Sequence, residues 1–172
     1  EDPYRNFLPS TGRLVKYRPP AEQMADGITV RNDTGVFEGG EISIYYDPMI
    51  AKLCTHAPTR SAAISKMAEA LDAFHIDGIQ HNIPFLSAIM ENPRWQSGAL
   101  STGFIAEEFP GGFAGHEITA EIKSTMAKVA TVLDHVENRR KRLINGQMVG
   151  NGVTFATARI VKLGKEFIPV TI

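Results

Sequence analysis

The sequence is poor in cysteine, in long apolar runs and in excess charge of either sign. Cys54 is the only cysteine, which excludes a disulfide framework or a cysteine-based metal site within the chain. No apolar run approaches the roughly 18 to 20 residues that cross a bilayer. With 18 basic and 19 acidic residues, the formal net charge of −1 gives no reason to expect nucleic acid or a membrane as partner.

Histidine is present but scattered. The five histidines are His56, His75, His81, His116 and His135. Metal-binding histidines usually recur at short, regular spacings, and none of these do. The sequence therefore predicts no metal site.

The rest of the composition is ordinary. The 172 residues are 43% hydrophobic and 22% charged, which is typical of one globular domain or of one domain and part of a second. The amino terminus, Glu1-Asp2-Pro3-Tyr4, has no signal-peptide pattern and no starting methionine. We therefore expect the chain to be a piece of a longer protein.

The first half of the chain has the pattern of short strands joined by glycine and proline turns. Alternating or apolar segments at 13–18, 28–33, 36–37 and 49–55 predict strands. Gly39-Gly40 permits a tight reversal ahead of the last of them. The sequence therefore predicts a small antiparallel sheet.

A first helix is predicted after this sheet, with Thr59 as its N-cap. We expect it to end at Asp77-Gly78. Its apolar stripe recurs at helical spacing and comprises Ala63, Ile64, Met67, Leu71 and Phe74. A stripe of this kind is typical of a helix that packs on a sheet.

Two shorter helices are predicted next. Asn82 is expected to cap the first of them, and Ser101 or Thr102 to begin the second. We interpret Trp95 as an anchor for these helices in the core rather than as a ligand-stacking residue.

A second region follows a boundary rich in glycine and proline at 110–115. Apolar residues then recur at steps of mostly three and four and predict a long amphipathic helix: Ile118, Ile122, Met126, Val129, Leu133, Val136 and Leu143. Arg140 falls on the same stripe, and Asn145-Gly146 is the expected C-cap. A hairpin is predicted over 152–172 with its turn at Gly164-Lys165. Because two isolated strands are marginal in water, we expect the chain to stop within a larger β domain.

The corner around Asp47 is the best candidate for a functional site. Pro48 restricts Asp47 to an extended conformation, so its carboxylate and the phenols of Tyr45 and Tyr46 are expected to lie at a bend. A carboxylate held beside two phenols could belong to a site. Alternatively, Asp47 caps a turn and the tyrosines cover the core.

Four sequence blocks within residues 1–105 resemble the C-terminal subdomain of biotin carboxylase, the ATP-grasp component of biotin-dependent carboxylases. They are Glu1-Asp2-Pro3 with Phe7-Leu8-Pro9-Ser10 and Gly12, Val30-Arg31-Asn32-Asp33 with Gly39-Gly40, Tyr45-Tyr46-Asp47-Pro48-Met49-Ile50-Ala51-Lys52-Leu53, and Asp77-Gly78-Ile79 with His81-Asn82-Ile83-Pro84-Phe85-Leu86. Their order and spacing carry the resemblance together. The later helix and hairpin look like the start of the domain that links biotin carboxylase to carboxyltransferase in α subunits of the propionyl-CoA carboxylase type.

This resemblance implies an α+β fold in two parts. Residues 1–110 would form a small antiparallel sheet covered by helices, and residues 111–172 a long helix with a β-hairpin from an incomplete antiparallel barrel. The longer enzyme would carboxylate biotin with ATP, Mg²⁺ and bicarbonate, and then transfer the carboxyl group to an acyl-CoA. Its partners would be a carboxyltransferase (β) subunit and the biotin carrier domain of the same polypeptide.

The resemblance assigns few site residues to this chain. It implies no catalytic residue, no metal ligand and no bound cofactor within these 172 residues, and we expect the isolated chain to be inactive. Asp47 would orient an arginine near biotin without transferring a proton. Ile28 and Arg31 match dimer-interface positions of free-standing bacterial enzymes, although Arg31 could equally form a surface ion pair.

Two questions remain open at this point. The chain could instead be a non-catalytic interaction module that docks a carboxyltransferase, or the equivalent part of a methylcrotonyl-CoA or acetyl-CoA carboxylase. The resemblance favours the bacterial cytoplasm and leaves the mitochondrial matrix open.

Overall fold

Two separate units make up the chain. The computed structural model describes residues 1–45, 47–115, 118–142 and 156–172. Its two compact units are Glu1–His116 and Glu117–Ile172. The α+β prediction is confirmed, because small antiparallel sheets and helices form the described parts of both. The assignment of 1–110 and 111–172 to two functional domains stays a prediction.

The strands of the first unit are short and pair antiparallel. In chain order they are β1 (Gly12–Arg13), β2 (Lys16–Arg18), β3 (Gln23–Ala25), β4 (Ile28–Thr34), β5 (Glu41–Ile42), β6 (Ala51–His56) and β7 (His75–Asp77). Strands β3, β4 and β6 form one sheet, in that order, while β1 pairs with β5 and β2 with β7. Asp26 and Gly27 join β3 to β4 with φ values of 55° and 74°, the two positive angles that a tight hairpin turn requires.

The segment 13–18, predicted as one strand, is divided at Leu14. The Leu14 amide donates to the Gly40 carbonyl at 2.9 Å, and the Leu14 carbonyl accepts from the Gly39 amide at 2.7 Å. Leu14 is fully buried. The Gly39-Gly40 turn therefore hydrogen-bonds to the middle of the segment, and β1 and β2 lie in different sheets.

The strand predicted at 36–37 is wrong. Phe37 is 70% exposed, and its carbonyl accepts from the Gly40 amide at 3.0 Å. These residues form the turn instead of entering it as a strand. The predicted Gly39-Gly40 reversal is confirmed.

The helices of the first unit follow the sheet. They are α1 (Arg60–Asp72), α2 (Ile83–Glu91), α3 (Pro93–Ser97) and α4 (Phe104–Glu108). Thr59 caps α1 as predicted, because its side chain accepts from the Ala62 amide at 3.2 Å. The predicted end of α1 at Asp77-Gly78 is wrong, since the helix ends at Asp72 and the chain returns as β7. Helix α4 begins later than expected, with Gly103 at its N-cap position.

Helices α1, α2 and α4 bury the main core against β6. Its buried members are Leu71, Phe85, Ile89, Met90, Phe104 and Phe113. Phe85 lies at the centre, with ring centroids of Phe7, Phe109 and Phe113 at 4.9, 5.1 and 5.4 Å in edge-to-face orientation. Trp95 packs against this core, as predicted, and its ring centroid lies 5.9 Å from that of Phe104.

The second unit contains helix α5 (Ala120–Lys141) and the strands β8 (Ala158–Leu163) and β9 (Glu166–Thr171). Thr119 caps α5 by accepting from the Ile122 amide at 3.3 Å. Strands β8 and β9 form an antiparallel hairpin with Gly164-Lys165 between Leu163 and Glu166, which confirms the predicted turn. The predicted C-cap at Asn145-Gly146 and the start of the hairpin at 152–155 lie outside the described residues.

Helix α5 is amphipathic, as predicted, but the side chains that it buries are small. Ala127 and Thr131 are 1% and 3% exposed, whereas Leu133 is 63% exposed. Across the described residues, no helix is both long enough and apolar enough to cross a membrane.

Candidate functional site

Asp47 is exposed and lines a cavity of about 340 Å³ in the first unit. Three stretches of chain line it: the amino-terminal residue Glu1, the segment that leads into β6, and the segment between β7 and α2. Its polar lining residues are Glu1, Asp47, Lys52, Gln80, His81 and Asn82. The cavity therefore combines two carboxylates, an ammonium group, an imidazole and two amides.

The Asp47 carboxylate is held by a local backbone contact. Its Oδ1 atom accepts from the Met49 amide at 2.8 Å, across Pro48. The side chain is exposed, and this contact fixes its orientation without involving Oδ2. Asp47 thus caps the turn, as in one of the two alternatives proposed, and it also lines the cavity.

Only one of the two tyrosines expected beside Asp47 lies within the described residues. Tyr45 is 90% exposed, and its amide donates to Ser43 Oγ at 3.1 Å. Tyr45 therefore does not cover the core. Tyr46 lies outside the described residues.

Gly78 positions the opposite wall of the cavity. Its φ is +102°, and a Cβ atom there would lie 2.3 Å from the Arg13 carbonyl oxygen and 2.8 Å from the Val15 nitrogen. The Val15 amide donates to the Asp77 carbonyl at 2.9 Å, which holds the two segments together. Because only glycine fits here, the chain can turn sharply after β7 and bring His81 to the cavity.

His81 is half-buried between β7 and α2. Its Nδ1 atom is enclosed and has no hydrogen-bond partner among the described residues. Burial lowers the pKa of His81 below the ordinary histidine value, and the Ile76 carbonyl opposes this shift. The imidazole is therefore neutral at pH 7 and can act as a hydrogen-bond acceptor or donor.

Sequence reasoning assigned Asn82 only a capping role. Asn82 does occupy the N-cap position of α2, but its side chain makes no capping hydrogen bond. Its φ and ψ of −94° and 9° lie outside the extended region that a capping side chain needs, and Pro84 removes one backbone donor. The side chain instead lines the cavity.

The other cavity residues were missed as site candidates. His81 stands in one of the blocks that carry the resemblance, with Gln80 in the gap between the two parts of that block, and Lys52 stands in another block, which was the available signal. Gln80 and His81 follow β7, whose pairing with β2 no local pattern reveals.

The two predicted interface residues lie on β4 and do not line the Asp47 cavity. Arg31 is exposed and pairs with Asp33, with its Nε and Nη2 atoms 2.9 and 3.1 Å from the carboxylate oxygens. Hydrogen bonding to Asp33 raises the pKa of Arg31. Ile28 is half-buried, and the alternation of a strand directs it to the opposite face from Arg31. The structure thus places the surface ion pair that was one alternative for Arg31.

The arrangement suits recognition of a polar or cationic group rather than metal catalysis. Within the described ranges, no group of three His, Cys, Asp or Glu residues is placed to hold a metal ion. A carboxylate oxygen at the mouth of a cavity is a favourable partner for a guanidinium group. Asp47 and Glu1 supply the carboxylates of this cavity.

Known proteins resemble the chain along its whole length. Residues 1–107 match the family model of the biotin carboxylase C-terminal domain. The propionyl-CoA carboxylase alpha chain of Ruegeria pomeroyi is 49% identical over an alignment that covers 100% of this chain and 28% of that protein. The mitochondrial propionyl-CoA carboxylase alpha chain of Homo sapiens is 43% identical, covering 77% of this chain and 18% of that protein.

Solved structures agree with this relationship. A biotin carboxylase subunit of pyruvate carboxylase matches with a TM-score of 0.60 and 38% identity, covering 68% of this chain and 25% of that chain. The biotin carboxylase domain of Hydrogenobacter thermophilus 2-oxoglutarate carboxylase matches with a TM-score of 0.57 and 35% identity, covering 63% and 23%. The chain spans less than a third of each of these proteins. It belongs to the biotin carboxylase C-terminal domain family, as the four sequence blocks predicted.

Proposed function

We propose that this chain is part of a propionyl-CoA carboxylase α chain, and that the whole protein carboxylates biotin with ATP and bicarbonate for transfer to an acyl-CoA. The observation that carries this proposal is the 49% identity to a propionyl-CoA carboxylase alpha chain over 100% of the chain, including the second unit. A methylcrotonoyl-CoA carboxylase subunit alpha is only 34% identical over 80% of the chain. This difference favours propionyl-CoA over methylcrotonyl-CoA as the substrate.

ATP and Mg²⁺ would be bound by other parts of the whole enzyme. Among the described residues, no group of three His, Cys, Asp or Glu side chains is placed to hold a metal ion. The biotin carboxylase domain of 2-oxoglutarate carboxylase was solved with MgADP, ADP and bicarbonate. We assign these ligands, and biotin, to the whole enzyme and none of them to this chain alone.

Asp47 would orient a cationic side chain beside biotin. Its Oδ1 atom accepts from the Met49 amide at 2.8 Å, and its Oδ2 atom would accept from a partner such as an arginine from elsewhere in the protein. A fixed guanidinium could then stabilise negative charge that develops on biotin. Asp47 would act as a positioning residue and would not transfer a proton.

The substitution Asp47→Asn in the whole enzyme tests this role. Asparagine keeps an oxygen for the Met49 amide but removes the negative charge, so the turn should survive. We expect the rate of biotin carboxylation to fall roughly 10-fold, the size expected for loss of one charged hydrogen bond. Asp26→Asn, in the exposed β3–β4 turn, is the matched control and should leave the rate unchanged. Unchanged carboxylation by an assembled Asp47→Asn enzyme would refute the role.

The isolated chain is proposed to be inactive by itself. Purified chain incubated with ATP, bicarbonate and free biotin should form no carboxybiotin above a protein-free control. Measurable ATP-dependent carboxylation would overturn this part of the proposal.

A second role, as an interaction module, is favoured by the exposed apolar stripe of α5. Its members are Ile122, Met126, Val129, Leu133 and Val136, each between 44% and 63% exposed. We propose that the region containing this helix contributes to docking of a carboxyltransferase (β) subunit, with the biotin carrier domain on the same polypeptide. Capture of a carboxyltransferase by the immobilised chain from cell lysate, identified by mass, would support docking and name the acyl-CoA class.

Ile28 and Arg31 remain proposals as interface residues. The biotin carboxylase domain of 2-oxoglutarate carboxylase is a dimer. If β4 serves the same purpose here, Arg31→Glu in the whole enzyme should shift its sedimentation towards a smaller assembly.

The relatives include bacterial and mitochondrial proteins, and we propose the bacterial cytoplasm as the location, with the mitochondrial matrix as the alternative.

A further inference from the structure

A series of side-chain hydrogen bonds links the core of the first unit to the turn that carries Asp47. The Asn32 side-chain amide donates to the Tyr17 hydroxyl at 3.2 Å, and the Tyr17 hydroxyl donates to Thr34 Oγ1 at 2.9 Å. Thr34 Oγ1 in turn donates to the Ile50 carbonyl at 2.8 Å. We call these three contacts the hydroxyl network. It ends at the wall of the Asp47 cavity, because Ile50 is one of the residues that line it.

Strand β4 supplies both partners of the Tyr17 hydroxyl. Side chains two positions apart on a strand lie on the same face, roughly 7 Å from each other, so one oxygen between Asn32 and Thr34 reaches both. Tyr17 itself is 8% exposed, and its ring centroid lies 5.6 Å from that of Phe74 in edge-to-face orientation. The core therefore fixes the phenol, and the phenol fixes Thr34.

The direction of each hydrogen bond follows from the number of protons available, since a tyrosine or threonine hydroxyl has one proton to donate. The Asn32 amide donates to Tyr17, so the phenol proton is directed to Thr34. The Thr34 proton is then directed to the Ile50 carbonyl. Thr34 Oγ1 also accepts from the Val36 amide at 3.3 Å, which occupies its second acceptor position. The Thr34 hydroxyl is thus fully used, and hydrogen bonds in such a series strengthen one another.

A short and restrained segment joins the Ile50 carbonyl to Asp47. The pairing of β4 with β6 ends at Thr34, so the Thr34 side chain extends the contact between the strands by one residue, to Ile50. Before Ile50, the Met49 amide donates to Asp47 Oδ1 at 2.8 Å, and the ring of Pro48 fixes its own φ. These two restraints limit the backbone rotations between the held carbonyl and the Asp47 carboxylate.

We propose that Thr34, held by Tyr17, is a positioning residue for Asp47. Its hydroxyl fixes the Ile50 carbonyl and with it the turn through Pro48, so that the Asp47 carboxylate keeps one position in the cavity. Neither Thr34 nor Tyr17 is among the described residues that line this cavity, so each acts through Asp47. This inference rests on the proposed role of Asp47 in the whole enzyme.

The substitution Thr34→Val in the whole enzyme tests the proposal. Valine keeps the shape of threonine but has no hydroxyl, so we expect the rate of biotin carboxylation to fall roughly 2- to 10-fold, and no further than in Asp47→Asn. Thr34→Ser keeps the hydroxyl and should retain the parent rate. Thr29→Val makes the same change at the other end of β4, and this matched control should leave the rate unchanged.

A double substitution shows whether Thr34 acts through Asp47. In the Asp47→Asn enzyme the charge that Thr34 positions is already lost, so adding Thr34→Val should lower the rate no further. Equal fractional losses in the two backgrounds would overturn the proposal, because Thr34 would then act independently of Asp47. An unchanged rate for Thr34→Val, where Asp47→Asn lowers the rate, would overturn it as well.

An NMR measurement on the 172-residue chain separates this inference from the proposed function. The Met49 amide proton reports on the turn directly, because it bonds to Asp47 Oδ1. We expect Thr34→Val to move its signal upfield, as weakening of a hydrogen bond does, and Thr34→Ser and Thr29→Val to leave it in place. If the signal moves but Asp47→Asn does not change the rate of the whole enzyme, the proposed role of Asp47 fails and the hold of Thr34 on the turn is supported. If the signal stays in place in a folded chain, the inference fails whatever Asp47→Asn does.

Tyr17→Phe provides a second variant if Thr34→Val does not fold. It keeps the ring that packs on Phe74 but removes the hydroxyl between Asn32 and Thr34. We expect the same upfield shift and the same dependence on Asp47, both smaller than for Thr34→Val, because Thr34 still donates to the Ile50 carbonyl. A Tyr17→Phe protein that matches the parent in both rate and Met49 signal would show that the phenol does not hold Thr34, which would overturn the proposal.

Discussion

The first unit contains a buried core of large apolar side chains, whereas the large apolar side chains of helix α5 in the second unit are exposed. In the first, Phe85 is 4% exposed and Leu71 is 3% exposed, in a core built from several helices and a sheet. In the second, Met126 and Leu133 on α5 are 44% and 63% exposed. The described residues that α5 buries most deeply are the small Ala127 and Thr131, and the Thr131 hydroxyl donates to the Ala127 carbonyl at 2.8 Å.

This difference means that different interactions stabilise the two units. Burial of large apolar side chains stabilises the first unit. Polar contacts supplement the few buried groups of the second, such as the ion pair between Lys123 and Glu166 at 2.5 Å. Exposed ion pairs add little stability. We infer that the first unit is the more stable of the two, and the following substitutions test that inference from the largest expected effect to the smallest.

Phe85→Ala should have the largest effect. It removes the ring that contacts Phe7, Phe109 and Phe113 and leaves a cavity, so we expect a loss of about 3–5 kcal/mol in the free energy of unfolding. Urea unfolding followed by Trp95 fluorescence reports on this unit specifically. Phe37→Ala, at a position that is 70% exposed, is the control and should change stability by less than about 0.5 kcal/mol. A similar cost at both sites would contradict the proposed core.

Gly78→Ala should cost about 2–4 kcal/mol, because the new methyl group would meet the Arg13 carbonyl and the backbone is already at positive φ. The same fluorescence assay measures it. Gly111→Ala is the matched control, since nothing lies within 4 Å of a Cβ atom there. A tolerated alanine at Gly78 would mean that the turn after β7 is not constrained as described.

Gly78 also shows where sequence reasoning reached its limit. The cap at Thr59 was predictable because its signal is local, a capping residue directly before a helical stripe. The role of Asp77-Gly78 was not predictable, because a helix end and a strand-to-loop turn use the same residues. Which of the two forms depends on the pairing of His75–Asp77 with Lys16–Arg18. Local patterns cannot reveal that partner.

In the candidate site too, features with a local sequence signal were predictable and those that depend on distant contacts were not. Asp47 was predicted as a site residue from its immediate neighbours, since Pro48 marks the bend locally. The wall formed by Gln80, His81 and Asn82 comes from a distant part of the chain, and Asn82 was interpreted through its nearest helix instead. The exposed stripe of α5 was predicted as a pattern, but its exposure depends on which side the hairpin covers.

Ala127→Leu should be the most damaging simple change in the second unit. The site is 1% exposed, so a larger side chain must displace its neighbours at a cost of about 1–3 kcal/mol. Amide hydrogen exchange across Ala120–Lys141 would detect this as faster exchange in the helix. Ala130→Leu, on the exposed side of the same helix, should leave exchange unchanged. Equal effects at both positions would show that Ala127 does not face the hairpin.

His81→Phe should change how the stability of the first unit depends on pH. Because burial lowers the pKa of His81, the unfolded chain binds its proton more readily than the folded one. The contribution of neutral His81 is complete above the unfolded-state pKa of about 6.5, declines as the pH falls below it, and levels off below the folded-state pKa. The phenylalanine variant should flatten this decline in urea unfolding between pH 7 and 5, whereas His56→Phe should retain it. An identical slope in both variants would place His81 in water.

Leu133→Gln should have the smallest effect, and it bears most directly on the comparison. Leu133 is 63% exposed, and leucine and glutamine have similar helix propensities, so we expect a change within about 0.5 kcal/mol and an unaltered helical circular dichroism signal. The docking proposal predicts that the same substitution weakens capture of a carboxyltransferase by this chain. Lys128→Gln, exposed on the same helix, is the control for capture. A large loss of stability on Leu133→Gln would show instead that the stripe is buried within this chain and is not available to a partner.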